Sequence, residues 1–381
     1  MPDLLAYCRE QSDAMLDLLQ TLITYESFSR DKAAVDRLAT YMAGQLEALG
    51  ATVERHPQQE VGDCLLARWN DDAPGKPITF ITHLDTVWPV GTLAARPIRI
   101  EGGRLYGPGA IDMKAGLTVM LSALRVLRER GEFPRRPIWA LTTTDEEIGS
   151  VHSEALIRQV AGQSGLCLIM EPATPEGALK TWRKGIANFT VRAIGRASHA
   201  GGAPEEGINA VVELAHQVLK LHALNDLPNG TSVSVTMFKG GHTNNVIPDC
   251  AEAYVDVRFL TQEAGERVTA AIRELYPVLP GAELVIEGHE SRPPMERNET
   301  MRRAFQQIQE IGRRIGLEVH EAGSGGGSDG NTTASMGIPT LDGMGPTGAG
   351  LHAAHEHVLI SSLPEKTALI AALLQQWEMQ D

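Results

Sequence analysis

The sequence predicts an α/β protein with a mostly parallel, helix-flanked sheet, interrupted by a smaller α+β domain of ferredoxin-like order. Three observations lead there. Short apolar runs alternate with segments of helical period through the first half of the chain. The middle changes to a β-α-β-β-α-β succession, and a helix of the first kind returns afterwards. At 381 residues the chain exceeds one ordinary core, so two domains, or one enlarged by an insertion, are expected.

Taken in order, residues 3–23 and 34–49 place apolar side chains at helical spacing, and Gly50 ends the second segment because glycine accepts the left-handed stop conformation. The runs "DCLLARW", "PITFITHLDTV", "RPIWALTTT", "SGLCLIMEP" and the late "GIPTLDG" read as short buried strands. Between the second and third, "MKAGLTVMLSALRVLRER" has a helix's length and period. From 183 to 291 the order is strand "IANFTVRAIG", helix "GINAVVELAHQVLKLHAL", strands "TSVSVTMFKG" and "AEAYVDVRFL", helix "EAGERVTAAIRELYPVL" and strand "AELVIEGHE". That is the split βαβ order, so 183–291 is expected to be an insertion in a discontinuous domain of 1–182 plus 292–381. The helix "NETMRRAFQQIQEIGRRIG" reopens the first domain, and the only low-complexity tract is the glycine-rich "GSGGGSDGN" at 323–331.

Composition sets outer limits. With 43% hydrophobic and 22% charged residues, most of the chain should be ordered. A formal net charge of −14 argues against nucleic acid as partner, since counterion release needs clustered Lys and Arg. No apolar stretch approaches the roughly 18 residues of a membrane span, and the acidic start "MPDLLAYCREQSD" lacks the basic and apolar regions of a secretory signal, so a cytoplasmic protein away from the membrane is expected. Cys8, Cys64, Cys167 and Cys250 are scattered without CxxC pairing, which argues against a disulfide framework and against a thiolate zinc site.

The chemistry gathers behind the apolar runs. "PITFIT" leads to His83 and Asp85, "PIWALTTT" to Asp145, Glu146 and Glu147, "GLCLIM" to Glu171, and "GIPTLDG" precedes a loop carrying His352. In open α/β sheets, sites form beyond the carboxyl ends of parallel strands, so these residues should converge. Asp112, in "GPGAIDMKAG", either caps the helix that follows or joins them, and Gly107 and Gly109 beside it favour a turn that presents the side chain. Two histidines with several carboxylates and no thiolate suit Zn2+, with Co2+ or Mn2+ also compatible. A cluster this acidic needs cations, and the count supports two: His83 and Glu171 on one, His352 and Glu147 on the other, Asp112 bridging. Glu146 is then left for proton transfer, Asp85 can hold the second nitrogen of His83, and Asp145 shapes the turn.

"HLDTV", "GPGAIDMKAG", "TTTDEEIGS", "MEP", "GRASHAG" and "GLHAAHEHV", six motifs in order over nearly the whole chain, resemble the M20 metallopeptidase family, most closely its glutamate carboxypeptidase group. The resemblance implies a zinc-exopeptidase-like catalytic domain and an inserted dimerisation and lid domain. It implies two zinc ions held by His83, Asp112, Glu147, Glu171 and His352, with Glu146 as general base. It further implies that His199 of "SHAG" reaches a partner subunit's site to stabilise an oxyanion, that Asn245 and Arg258 hold substrate carboxylate or carbonyl groups, and that Gly326 and Gly327 line the substrate pocket.

The late motif departs from the family, where an acidic residue in "NE" or "KAE" is more usual than "HAAHEHV". His355 and His357 therefore compete with His352, which is preferred because it follows the small-residue turn "GAGL". Arg183 stands at the domain junction, either as a solvated hinge or as a contact for an acidic substrate, and His152, His216, His222 and His320 are expected to be structural or surface histidines. The activity implied is hydrolysis of an N-acyl or peptidyl amino acid by a homodimer, releasing a C-terminal residue such as glutamate. An N-deacylase of the acetylornithine or succinyl-diaminopimelate type is the alternative. A metal-binding scaffold without turnover is the rival of another class, and Glu146, a carboxylate not needed to hold metal, argues against it.

Overall fold

The computed structural model describes residues 4–379 and divides into two compact units. Within the described residues, one draws on 4–181, 297–323 and 328–379, the other on Trp182–Glu296 and Ser324–Gly327.

The first unit is built on six strands in the order Thr52–His56, Cys64–Trp69, Ile138–Thr143, Ile78–His83, Leu166–Ile169 and Thr340–Leu341. The last four run parallel, while Cys64–Trp69 is antiparallel to both of its neighbours. This is the expected class. Every residue of Ile78–His83 and Ile138–Thr143 is buried, which is why these runs show no alternation: both sheet faces are covered. Thr52–His56 went unforeseen because Val53 is its only apolar member, and an edge strand can be held by pairing alone.

The segment expected as one helix from residue 3 forms two, Leu4–Glu10 and Ser12–Thr24, and Asp3 lies outside the described residues. Ser12 donates its hydroxyl to the Arg9 carbonyl, a side-chain bond that competes with helix continuation at the junction. Lys32–Ala48 is capped by Asp31, whose carboxylate accepts from the Ala34 N–H at 3.0 Å, and Gly50 adopts φ +80° beyond its end. The helix Ser362–Gln376 carried no readable period because it is buried nearly all round, in the same apolar core as Ala115–Glu129.

Ala115–Glu129 lies directly against the chain leading out of Leu166–Ile169. A Cβ on Gly116 would sit 2.1 Å from the Met170 carbonyl oxygen, and backbone cannot swing aside as a side chain can. Gly116→Ala should therefore destabilise the protein by about 1–3 kcal/mol from overpacking, against the ~1 kcal/mol that alanine gains in a helix. Denaturant midpoints measure this, and an unchanged midpoint would mean that the helix can shift.

The second unit has strands Gly185–Ile194, Ser232–Gly240, Cys250–Phe259 and Glu283–Arg292, with helices Ala210–Ala223 and Gln262–Arg273 between them in sequence. In space the strands lie 232–240, 250–259, 185–194, 283–292, all antiparallel, which is ferredoxin-like order. Burial alternates residue by residue along Gly185–Ile194 and Cys250–Phe259, as in a sheet covered on one face. Asn209 and Thr261 cap the two helices.

All four cysteines are free thiols, Cys250 exposed and the others buried. Among the described residues no helix is long and apolar enough to cross a membrane.

Candidate metal centre

Three parallel strands end at one edge of the large sheet, and the acidic motifs follow their last residues. His83 closes Ile78–His83, with Asp85 two residues on; Glu146 and Glu147 open a single 3-10 turn, Glu146–Ile148, after Ile138–Thr143; Glu171 stands two residues past Leu166–Ile169. Asp112 comes from the turn Ala110–Lys114, where its φ of −115° and ψ of 95° are not helical. The helix behind it begins at Ala115 and has Lys114, not Asp112, at its cap position, so the capping alternative is removed. His352 sits in the left-handed region at φ +58°, a conformation few residues other than glycine, Asn or Asp adopt.

These side chains form two groups that share one carboxylate: His83, Asp112 and Glu171 in one, Asp112, Glu147 and His352 in the other, with donor atoms within 4.8 Å of one another in each. His83 Nε2 is 3.3 Å from both Asp112 Oδ1 and Glu171 Oε1. His352 Nε2 is 3.3 Å from Asp112 Oδ2 and 2.9 Å from Glu147 Oε2. Although close to two carboxylates, the buried His83 Nε2 makes no hydrogen bond, and neither does the buried Glu147 Oε1. The spacing matches a cation instead: donors about 2.0–2.1 Å from a tetrahedral zinc stand about 3.3 Å apart. The donor set, two imidazoles and three carboxylates without a thiolate, fits a borderline divalent ion.

The protonation pattern agrees. Burial alone would lower His83, but Asp112, Asp85 and Glu171 outweigh it and hold the imidazole well above its usual value. Asp112 and Glu147 lift His352 to about 10. Burial and the Asp112 charge lift Glu147 to about 7, with His352 opposing. Without a cation, protons take up the positive charge that the cluster requires.

Asp85 is fully buried and does more than was read from its place after His83. His83 Nδ1 lies 3.0 Å from the Asp85 carbonyl oxygen and 3.4 Å from Oδ1, so the backbone is the closer acceptor for the ring proton. The carboxylate accepts from Ser29 Oγ at 2.7 Å and from the N–H groups of Glu146 and Glu147, both at 3.2 Å. It therefore fixes the turn that carries both glutamates. Asp145, equally buried, accepts from His152 N–H at 2.7 Å and Ser153 N–H at 3.3 Å and closes the same segment from below.

Neither His355 nor His357 belongs to the two donor groups; His357 Nδ1–H donates to the His355 carbonyl at 2.9 Å and the ring tilts against Tyr106 at 5.1 Å. Between them stands the residue that the sequence reading missed. Glu356 is buried and accepts four N–H donors, from Trp88, Gly109, Ile111 and Asp112. The signal was present, since an acid is usual in this stretch, but two flanking histidines drew the reading toward ligands.

The remaining predicted residues lie in the second unit. His199 and Asn245 are neighbours across the short pair Ser198–His199 and Val246–Ile247, where Ala200 N–H donates to the Asn245 carbonyl at 2.9 Å. His199 Nδ1 accepts from Gly201 and Gly202 N–H at 3.1 and 2.9 Å, so Nε2 carries the proton and is a donor. Arg258 gives Nε and Nη2 to Asp256, each at 2.8 Å, and its Nη1 is 3.4 Å from the Gly325 carbonyl. Arg183 Nη1 donates to the carbonyls of Gly326 and Gly327 at 3.1 Å, an engaged side chain and not a solvated hinge.

Comparison with known proteins fits this geometry. The family model described as Peptidase family M20/M25/M40 matches residues 79–376. Carboxypeptidase G2 of Pseudomonas sp. (strain RS-16) is 32% identical over 375 residues, covering 96% of this chain and 89% of its own length. Succinyl-diaminopimelate desuccinylase of Rhodospirillum centenum is 31% identical over 374 residues, covering 91% of this chain and 92% of its own. In fold, the chain superposes on the crystal structure of aminopeptidase PepT from Bacillus cereus with a TM-score of 0.81 at 23% identity, over 96% of this chain and 98% of that one. With a match that spans every residue of the two donor groups, the chain belongs to peptidase family M20/M25/M40.

Proposed function

We propose that the protein is a metal-dependent hydrolase that cleaves the amide bond of N-acyl or peptidyl amino acids and releases a C-terminal amino acid such as glutamate. The observation that carries this reading is the Asp112 carboxylate shared by two three-donor groups, with the Glu146 turn fixed beside them by Asp85. Two divalent cations, Zn2+ foremost, would be held by His83 and Glu171, by His352 and Glu147, and by Asp112 in common, and would supply a water of lowered pKa and a polarised carbonyl. Glu146 takes the proton of the attacking water on its carboxylate and hands it to the amide nitrogen as the bond breaks. Asp85 keeps His83 in the tautomer whose Nε2 lone pair faces Asp112 and Glu171.

For the second unit the proposal rests on donor chemistry. His199 offers an Nε2–H suited to a developing oxyanion, with Asn245 beside it, and Arg258 offers Nη1 to a substrate carboxylate. Gly326 and Gly327, held by Arg183, present backbone to the ligand. Following the family resemblance, His199 acts on a partner subunit's centre in a homodimer formed through the inserted domain, and the free thiols fit a cytoplasmic enzyme.

Mixing inactive His199→Ala with inactive Glu146→Ala protein tests the partner arrangement. Random exchange makes half the dimers mixed, each with one intact centre, so activity should return to roughly a quarter of wild type. No recovery, with subunit exchange shown independently, would remove the role across subunits. The 31% identity to a desuccinylase supports the second reading, an N-deacylase. Release of product from N-acyl-glutamate, compared with N-acetylornithine and N-succinyl-diaminopimelate, separates the two, and turnover of the latter pair alone would favour the deacylase.

A further inference from the structure

The turn that carries Asp112 is held from the far side by one carboxylate. Within Gly107–Lys114 the chain satisfies two of its own N–H groups, Ala110 to the Gly107 carbonyl and Lys114 to the Gly109 carbonyl. The N–H groups of Gly109, Ile111 and Asp112 all go to Glu356 instead: Gly109 to Oε2 at 2.9 Å, Ile111 and Asp112 to Oε1 at 3.0 and 3.3 Å. Trp88 adds its indole N–H to Oε2 at 2.7 Å. Each oxygen thus accepts two donors, and only an ionised carboxylate offers that on both sides of one group. The adjoining Gly107 N–H reaches the Glu356 carbonyl at 3.4 Å, so side chain and backbone of one residue grip the whole turn.

We propose that Glu356 is a positioning residue that sets the bridging carboxylate of Asp112, and through it the affinity of the centre for divalent metal. This rests on the metal-centre reading above. Asp112 must reach His83 on one side and His352 on the other, each at 3.3 Å, so a small displacement of its backbone loosens both groups at once. Its φ and ψ are not those of the helix that follows, and Glu356 is the side chain that bonds its N–H and that of Ile111 in this conformation.

Glu356→Gln is the informative change. The amide matches the carboxylate in size but has one acceptor oxygen, which should stay with the shorter bonds from Gly109 and Trp88. Its NH2 then faces the N–H groups of Ile111 and Asp112, donor against donor, and pushes the bridging residue away. The expected result is a roughly 10–100-fold weaker Zn2+ affinity, measured by competition with a chromophoric chelator, with the metal-free protein still folded. Trp88→Phe keeps the ring that Arg96 stacks on and deletes one donor to Oε2, so a smaller loss, roughly fivefold, is expected.

An unchanged Zn2+ affinity in Glu356→Gln, with only a lower melting temperature of the metal-free form, would overturn the proposal and leave a structural residue. If Glu356→Gln does not fold, Trp88→Phe decides, and wild-type affinity there overturns it equally. The readout uses no substrate. Failure to hydrolyse N-acylated amino acids would sink the hydrolase reading and leave this comparison intact, whereas a wild-type chain that bound no divalent metal would remove both.

Discussion

Glu146→Gln is expected to lower kcat by about 10^3-fold or more while bound metal stays at the wild-type level. The two glutamates of "TTTDEEIGS" differ in what surrounds them, although they are adjacent. Glu147 belongs to a donor group with Asp112 and His352, and Glu146 stands outside both groups on the same Asp85-held turn. The amide of glutamine keeps the size of the side chain and cannot take up a proton at neutral pH, so what is lost is proton transfer. Metal content by elemental analysis, alongside kcat, separates the roles. Glu147→Gln should instead lose metal, because its donor group of Asp112, Glu147 and His352 is left with one charged ligand in place of two. Loss of metal from the Glu146 variant would make that residue a ligand, and survival of more than a tenth of wild-type activity would end its assignment as base.

How legible the centre was depends on how each residue is held. His83, Glu147 and Glu171 follow buried parallel strands, and an apolar run that stops at an acid or histidine is visible in the letters alone. Asp112 was ambiguous because an aspartate before a helix usually caps it, and only the turn geometry, with the helix starting three residues later, decides. Glu356 escaped because three of its four partners are backbone N–H groups, which have no identity in a sequence. The same contrast holds for the fold. The ferredoxin-like unit was readable since its two central strands alternate, as in a sheet covered on one face, whereas Ser362–Gln376, buried nearly all round, shows no period to read. Asp85 lies between these cases: its position after His83 marked it, but its grip on the Glu146 and Glu147 amides depends on a neighbouring strand end.

Removing the metal should both lower the melting temperature and reverse its pH dependence. In the metal-free chain, His352 titrates at about 10 against an ordinary 6.5, held up by Asp112 and Glu147. A folded value above the unfolded one means stability that is fully present below about pH 6.5 and is lost as pH rises toward 10. Burial raises Glu147 from 4.5 to about 7, so ionising it in the folded state costs stability between those values and no more above them. Both groups push the same way, and the metal-free protein should melt progressively lower from pH 5 to pH 9. Cations require the imidazoles neutral and the carboxylates ionised, so they displace these protons and bind more tightly as pH rises. At a free concentration about 100 times the dissociation constant, each ion stabilises the fold by about 2.7 kcal/mol. The gap between metal-loaded and chelator-treated melting temperatures should therefore widen from pH 6 to pH 9. Calorimetry in buffers of different ionisation enthalpy should show proton release on Zn2+ binding at pH 7. Parallel pH profiles with and without metal, or binding without proton release, would mean that protons and cations do not compete for His83, Glu147 and His352, and the two-group centre would have to be abandoned.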